Sequence, residues 1–149
     1  VKLDEWYFLA TGGGFTFGGG EPLLYPEFIA EFREICGDSW HLCVETSLAV
    51  SWENIQKVAS TVDMFYIDCK DMNPVTYREY TGKDNGLLID NLKKLLTIVS
   101  ADKVIIRVPL IPEYNTEEDR QCTVECLKEM GFTQFDLFTY IVKEKSETT

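Results

Sequence analysis

Glu21, Glu45, Asp68, Lys70 and Arg107 are the side chains in this chain whose types and spacing could do chemistry. The three acids fall at or just past the ends of three successive apolar runs, so a fold that aligns those runs brings them onto one rim. Carboxylates held together repel unless a cation or a cationic ligand sits between them. Lys70 and Arg107 supply the opposite sign, and arginine suits a planar carboxylate held by two hydrogen bonds. A zwitterion, such as the amino-acid part of a cofactor, would answer both signs.

The stretch 12–24, GGGFTFGGGEPLL, organises the rest. Phe15, Thr16 and Phe17 favour a pleated, largely buried strand, and glycines punctuate it at both ends. Gly18, Gly19 and Gly20 let the main chain approach a ligand, Glu21 adds one negative charge, and Pro22 stiffens the exit. This cup suits a positively charged amino group better than a phosphate, because neither a P-loop nor a dinucleotide fingerprint is present. Bland readings stand beside these. The glycines fit an ordinary strand-to-helix turn, Asp68 and Lys70 a strand-end ion pair, and Glu45 with Thr46 a turn cap. Arg107, inside an apolar strand, requires a partner that structure alone could supply. His41, the single histidine, has no acid or cysteine beside it that would make a catalytic pair, so it is read as structural.

The elements that must position these residues alternate between helix and strand. The segment 2–10 reads as the tail of a helix ended by Thr11 and Gly12. Pro26 opens a helix with Phe28, Ile29, Phe32, Ile35 and Cys36 on one face, and residues 40–45 form a strand. Ser51 caps a helix running to Ser60. The run 64–67 is a strand, Asn73 and Pro74 open a short helix toward Tyr80, and leucines from 88 to 96 mark a longer one reaching Val99. Val104–Leu110 is a strand, Asn115 with Glu118 resembles a capping box for a helix to Met130, and Phe135–Thr139 is the last strand. Near-continuously apolar strands argue for a parallel sheet covered by helices, barrel-like or doubly wound.

Composition bounds the rest. The 149 residues form one domain, 1–149, with 143–149 as a frayed charged tail. With 25 acids against 14 bases and a net charge of -11, phosphate neutralisation is a poor mode of binding, which excludes nucleic acid as a partner. No run has the length of a membrane span and the first residues lack signal-peptide architecture, so a cytoplasmic location is the expectation. The 5 cysteines are odd in number and scattered, which argues for free thiols in a reducing compartment. Cys122 and Cys126 share a helix face and are read as buried.

Taken together, GGGFTFGGGEPLLYPEFI, VETS at 44–47, MFYIDCKDM at 64–72, TG at 81–82, NL at 91–92 and IRVPLIP at 106–112 resemble the glycyl-radical-enzyme activating enzymes of the radical S-adenosylmethionine superfamily, closest to the pyruvate formate-lyase activating type. The resemblance implies a partial TIM-type (β/α)6 barrel of parallel strands. It implies that Gly19, Gly20 and Glu21 hold the amino group of S-adenosylmethionine, with Glu45, Thr46, Lys70 and Arg107 in the same cofactor site. Glu45, Thr46, Asp68 and the main chain at Tyr66 match positions that bind a monovalent cation. A 4Fe-4S cluster would cleave the cofactor, an electron donor such as flavodoxin or ferredoxin would reduce the cluster, and the radical would pass to a glycine of a partner enzyme resembling pyruvate formate-lyase. Departures accompany the match. The family's C-x3-C-x2-C cluster motif is absent upstream of the glycines, so the chain is expected to be a fragment lacking the first strand and cluster loop, with no catalytic residue of its own and inactive in isolation. Gly18 stands where the family has Ser, Leu48 and Glu113 where it has Gly, and Tyr140-Ile141 where a histidine follows the last strand. Two other readings stay open: a non-catalytic barrel binding an amino acid or nucleoside, and an enzyme binding a divalent metal through Glu21, Glu45 and Asp68.

Overall fold

The computed structural model describes residues 4–141. Six α-helices and five strands follow one another: α1 (Glu5–Thr11), β1 (Gly14–Phe17), α2 (Pro26–Cys36), β2 (His41–Thr46), α3 (Trp52–Val58), β3 (Met64–Asp68), α4 (Pro74–Thr81), α5 (Gly86–Leu95), β4 (Val104–Leu110), α6 (Glu117–Glu129) and β5 (Phe135–Thr139). Each strand pairs in parallel with its sequence neighbours, in the order β1-β2-β3-β4-β5. Because every crossover steps the same way and parallel crossovers are right-handed, the connecting helices gather on one face. This is the open, barrel-type arrangement the sequence leads one to expect.

Burial follows that geometry. Val44, Phe65, Ile67, Val104, Ile106 and Val108 are buried in the helix-covered core with Ile55, Leu88, Leu92 and Leu127. Removing each such side chain from water contributes about 1.5–3 kcal/mol. The alternate positions face the other way. Register neighbours in a parallel sheet share a face, so Glu45 with Tyr66, Asp68 with Arg107, and Arg107 with Asp136 lie side by side on the uncovered face. The apolar strands suggest cover on both faces, but helices supply it on one only. The other is the concave interior, where side chains of the sheet meet each other.

The helix boundaries carry several corrections. The capping box belongs to Thr116 and Asp119, not to Asn115 and Glu118: Thr116 Oγ1 accepts from Asp119 N at 3.2 Å and Asp119 Oδ2 accepts from Thr116 N at 2.8 Å. Asn115 is instead buried, accepting from Ile111 N at 2.6 Å and donating to Asp71 Oδ2 and Pro109 O, both at 3.2 Å. Thr116→Ala is therefore expected to cost about 1 kcal/mol in urea denaturation. Ser51 holds the cap position of α3 without a side-chain bond, and that helix ends at Val58. Cys122 is exposed and Cys126 half-buried rather than buried, because the buried face of α6 is formed by Thr123, Val124 and Leu127. The expected start of α1 at residue 2 and the tail 143–149 lie outside the described residues.

Candidate functional site

Gly19, at φ 83, adopts a left-handed conformation open to glycine, which turns the chain sharply out of β1 toward Glu21. Glu21 caps the short 3-10 turn 22–24 and clasps the loop after β2. Its Oε1 accepts from Leu23 N at 3.2 Å and from Thr46 Oγ1 at 2.7 Å, and its Oε2 accepts from Ser47 N at 2.9 Å and Ser47 Oγ at 2.7 Å. Those four donors occupy the four acceptor sites of an ionised carboxylate. Glu21 thus shapes the cup more than it offers a free lone pair. The acceptors left to a ligand are main-chain carbonyls of the glycine turn and the acids of the open face.

Glu45 and Asp68 supply those acids. Gly19, Gly20, Glu21, Glu45, Thr46, Ser47 and Asp68 line a cavity of about 430 Å3. Glu21, Ser47 and Asp68 also border an adjoining cavity of about 360 Å3, to which Lys70 and Lys83 contribute. A Cβ at position 18 would lie 3.2 Å from Glu45 Oε2, so the glycine there leaves room for that carboxylate. Thr46, by contrast, points into the covered side of the sheet, where it is buried and committed to Glu21. It serves the cup through Glu21.

The cations close the set. Arg107 Nη1 lies 3.5 Å from Asp68 Oδ1 and 3.8 Å from Glu45 Oε2, while its Nε lies 3.4 Å from Asp136 Oδ2 and its guanidinium stacks over Phe138 at 5.0 Å. The long distances make this a shared charge rather than three tight bonds. Lys70 donates to Asp68 Oδ2 at 3.1 Å and to Tyr140 Oη at 2.5 Å. Burial works against its ammonium, but the Tyr140 bond and the Asp68 charge prevail and hold its pKa above the ordinary lysine value. Asp68 Oδ1 is buried without a hydrogen-bond partner among the described residues, an acceptor that an ammonium would satisfy.

Glu21, Glu45, Asp68, Lys70 and Arg107 therefore meet at one end of the open face, with Tyr66 in register beside Glu45. Three contributors escaped the sequence reading. Asp136 carries no local signal, because only the β4–β5 register sets it beside Arg107, whereas Ser47 was legible as the residue after Glu45-Thr46 and Tyr140 as the aromatic just past β5. His41 needs a correction: its Nδ1 lies 3.2 Å from Cys43 Sγ, a pairing that the i, i+2 spacing on a strand makes possible. Burial raises the Cys43 thiol pKa, which makes the pair a poor nucleophile.

A parallel α/β sheet with helices on one face and a charged, glycine-cornered cup on the other defines a barrel-type domain with its cavities at the strand ends. The chain belongs to the radical SAM superfamily, whose profile matches residues 4–127. It is 37% identical over 120 residues to the (2S)-3-sulfopropanediol dehydratase activating enzyme of Klebsiella oxytoca, covering 78% of this chain and 37% of that protein. It is 32% identical over 142 residues to the isethionate sulfite-lyase activating enzyme of Oleidesulfovibrio alaskensis, covering 94% of this chain and 46% of that protein. The chain thus spans less than half the length of these curated relatives. In fold it matches a domain of pyruvate-formate lyase-activating enzyme from Bacteroides vulgatus at a TM-score of 0.59 and 24% identity, over 84% of this chain and 98% of that one. Streptococcus suis SuiB matches at a TM-score of 0.68 and 14% identity, over 98% of this chain and 35% of that one.

Proposed function

We propose that this chain is the cofactor-binding part of a radical S-adenosylmethionine activating enzyme that installs a glycyl radical on a partner enzyme. The observation that carries this is the meeting of the glycine cup with Glu45, Asp68, Lys70 and Arg107 on one open face of a sheet of this family. Carbonyls of Gly19 and Gly20, together with Glu45 and Asp68, whose Oδ1 takes no hydrogen bond and only the long Arg107 ion pair, would receive the ammonium of the methionine moiety. Lys70 would meet its carboxylate, with Arg107 balancing the acids around it. Glu45, Thr46, Asp68 and the main chain of Tyr66 are the candidate donors for a monovalent cation; because Thr46 donates its hydroxyl proton to Glu21 and accepts from Leu48 N, its part there falls to its carbonyl.

In this family a 4Fe-4S cluster would supply the electron for reductive cleavage of S-adenosylmethionine. The residues of this chain do not fit that cluster. The described residues contain no group of three metal-ligating side chains, and the five cysteines are scattered over β2, the loop after β3 and two helices. What this chain contributes is binding and orientation: the cup fixes the amino-acid end, and the sheet floor keeps the site shielded on one side. The partner would resemble the enzymes activated by its relatives, pyruvate formate-lyase among them, and flavodoxin or ferredoxin would be the electron donor. No described helix is long and apolar enough to cross a membrane, and the free thiols suit the reducing cytoplasm.

Calorimetric titration of the chain with S-adenosylmethionine tests the reading. Saturable binding in the millimolar range is expected, and Lys70→Met is expected to weaken it at least tenfold by removing the carboxylate's cation. Absence of heat from the unmodified chain at saturating cofactor would sink the proposal.

A further inference from the structure

Asn91 lies in α5, on the covered side of the sheet, yet its bonds run to the loop that shapes the cup. It is buried, and its Nδ2 donates to Leu48 O and to Val50 O, each at 2.8 Å. Those carbonyls belong to the stretch 46–50, the last residue of β2 and the loop leaving it. Leu48 there has φ 56, a left-handed conformation that a leucine adopts only when its surroundings impose it. Its side chain is fully buried and its N–H donates to Thr46 Oγ1 at 2.9 Å. Thr46 and Ser47 in turn supply three of the four donors to Glu21.

We infer that Asn91 is a positioning residue for the cup: its amide holds residues 46–50 in the strained conformation that presents Thr46 and Ser47 to Glu21, and so sets the glycine turn from the far side of the sheet. This rests on the reading of the cup as the S-adenosylmethionine site. The side chain is matched to the task. One nitrogen with two protons reaches two carbonyls two residues apart. Leucine would donate nothing, and aspartate at most one proton. Among the described residues neither bond goes to α5 itself, so the amide serves the loop and not its own helix.

The test compares the unmodified chain with Asn91→Ala, Asn91→Asp and a Thr116→Ala control by proton–nitrogen NMR and calorimetry with S-adenosylmethionine. The Ser47 amide proton, which donates to a carboxylate, is expected at low field. In both Asn91 variants it is expected to move upfield together with the Gly19 and Gly20 amides, and cofactor affinity is expected to fall at least tenfold. Thr116→Ala should lower stability and leave those signals and the affinity in place. Asn91 variants that lose stability while the Ser47, Gly19 and Gly20 amides and the affinity stay unchanged would overturn the inference. If neither variant folds, the unmodified chain still decides: the Asn91 side-chain amide signals must shift when the cofactor saturates, and unmoved signals count against the role. A chain that binds no cofactor removes the functional reading alone, since the Ser47 amide shift in the variants still tests the positioning.

Discussion

Glu21→Gln, which keeps the shape of the side chain, is expected to lose nearly as much stability as Glu21→Ala, on the order of 2–4 kcal/mol. The wild-type carboxylate accepts from Leu23 N, Thr46 Oγ1, Ser47 N and Ser47 Oγ. A glutamine amide turns one of its two ends into a donor facing other donors. The hydroxyls of Thr46 and Ser47 can rotate, but the main-chain N–H groups of Leu23 and Ser47 cannot, so one of them is left facing an N–H. Alanine leaves all four donors without their acceptor, and Thr46 is buried where water does not replace it. Urea denaturation at neutral pH reads the stability, and calorimetry with S-adenosylmethionine is expected to show at least a tenfold loss of affinity in both variants. A glutamine variant as stable as the parent would show that the clasp is not what holds the turn.

Raising the pH from about 8 to about 11 is expected to destabilise the chain through Cys69, a fully buried thiol whose pKa burial pushes up to about 12, helped by the nearby Asp71 charge. The unfolded chain loses that proton at its ordinary pKa near 9.0, while the folded chain keeps it to about 12. Between those limits the unfolded state binds fewer protons, so stability falls as pH rises, by about 1.4 kcal/mol per unit. Over the whole window of about three units that amounts to an upper bound of about 4 kcal/mol, present in full below the unfolded pKa. Other groups titrate in the same range, so the readout is the difference between the parent and Cys69→Ala in reducing buffer. The variant loses some packing at every pH, but its stability should decline less steeply above pH 9.0. Parallel slopes would overturn the assignment.

Much of this architecture was legible because it rests on local rules. The β4 and β5 boundaries, the Asn73 cap with its Val75 N bond at 2.9 Å, and the proline at the start of α2 all follow from neighbouring residues. The rim acids were legible too, since a parallel sheet brings strand exits together whatever the loops do. Register was not. Asp136 beside Arg107 depends on how β4 slides against β5, and no local signal in either strand specifies that. The same holds for the capping box. Asn115 is an excellent cap by type, and only its long-range bond to Asp71 explains why it is drawn inside and Thr116 takes the role. Thr46 shows the limit most clearly. It follows Glu45 directly, and for that reason alternation sends its side chain to the opposite face.

The strand order has a consequence for how this protein acquires its structure. Each strand pairs only with the strands before and after it in sequence, so no pairing waits for a distant part of the chain to arrive. Loop-closure entropy is met one strand–helix step at a time, and folding can advance along the chain as a growing ribbon, in the manner of a repeat array. The outer sides of β1 and β5 have no strand partner among the described residues, and each leaves a row of main-chain donors and acceptors unpaired within the sheet. Such edges will accept another strand from any source that offers one, which makes them the places where elongation of the sheet, or association between misfolded copies, begins.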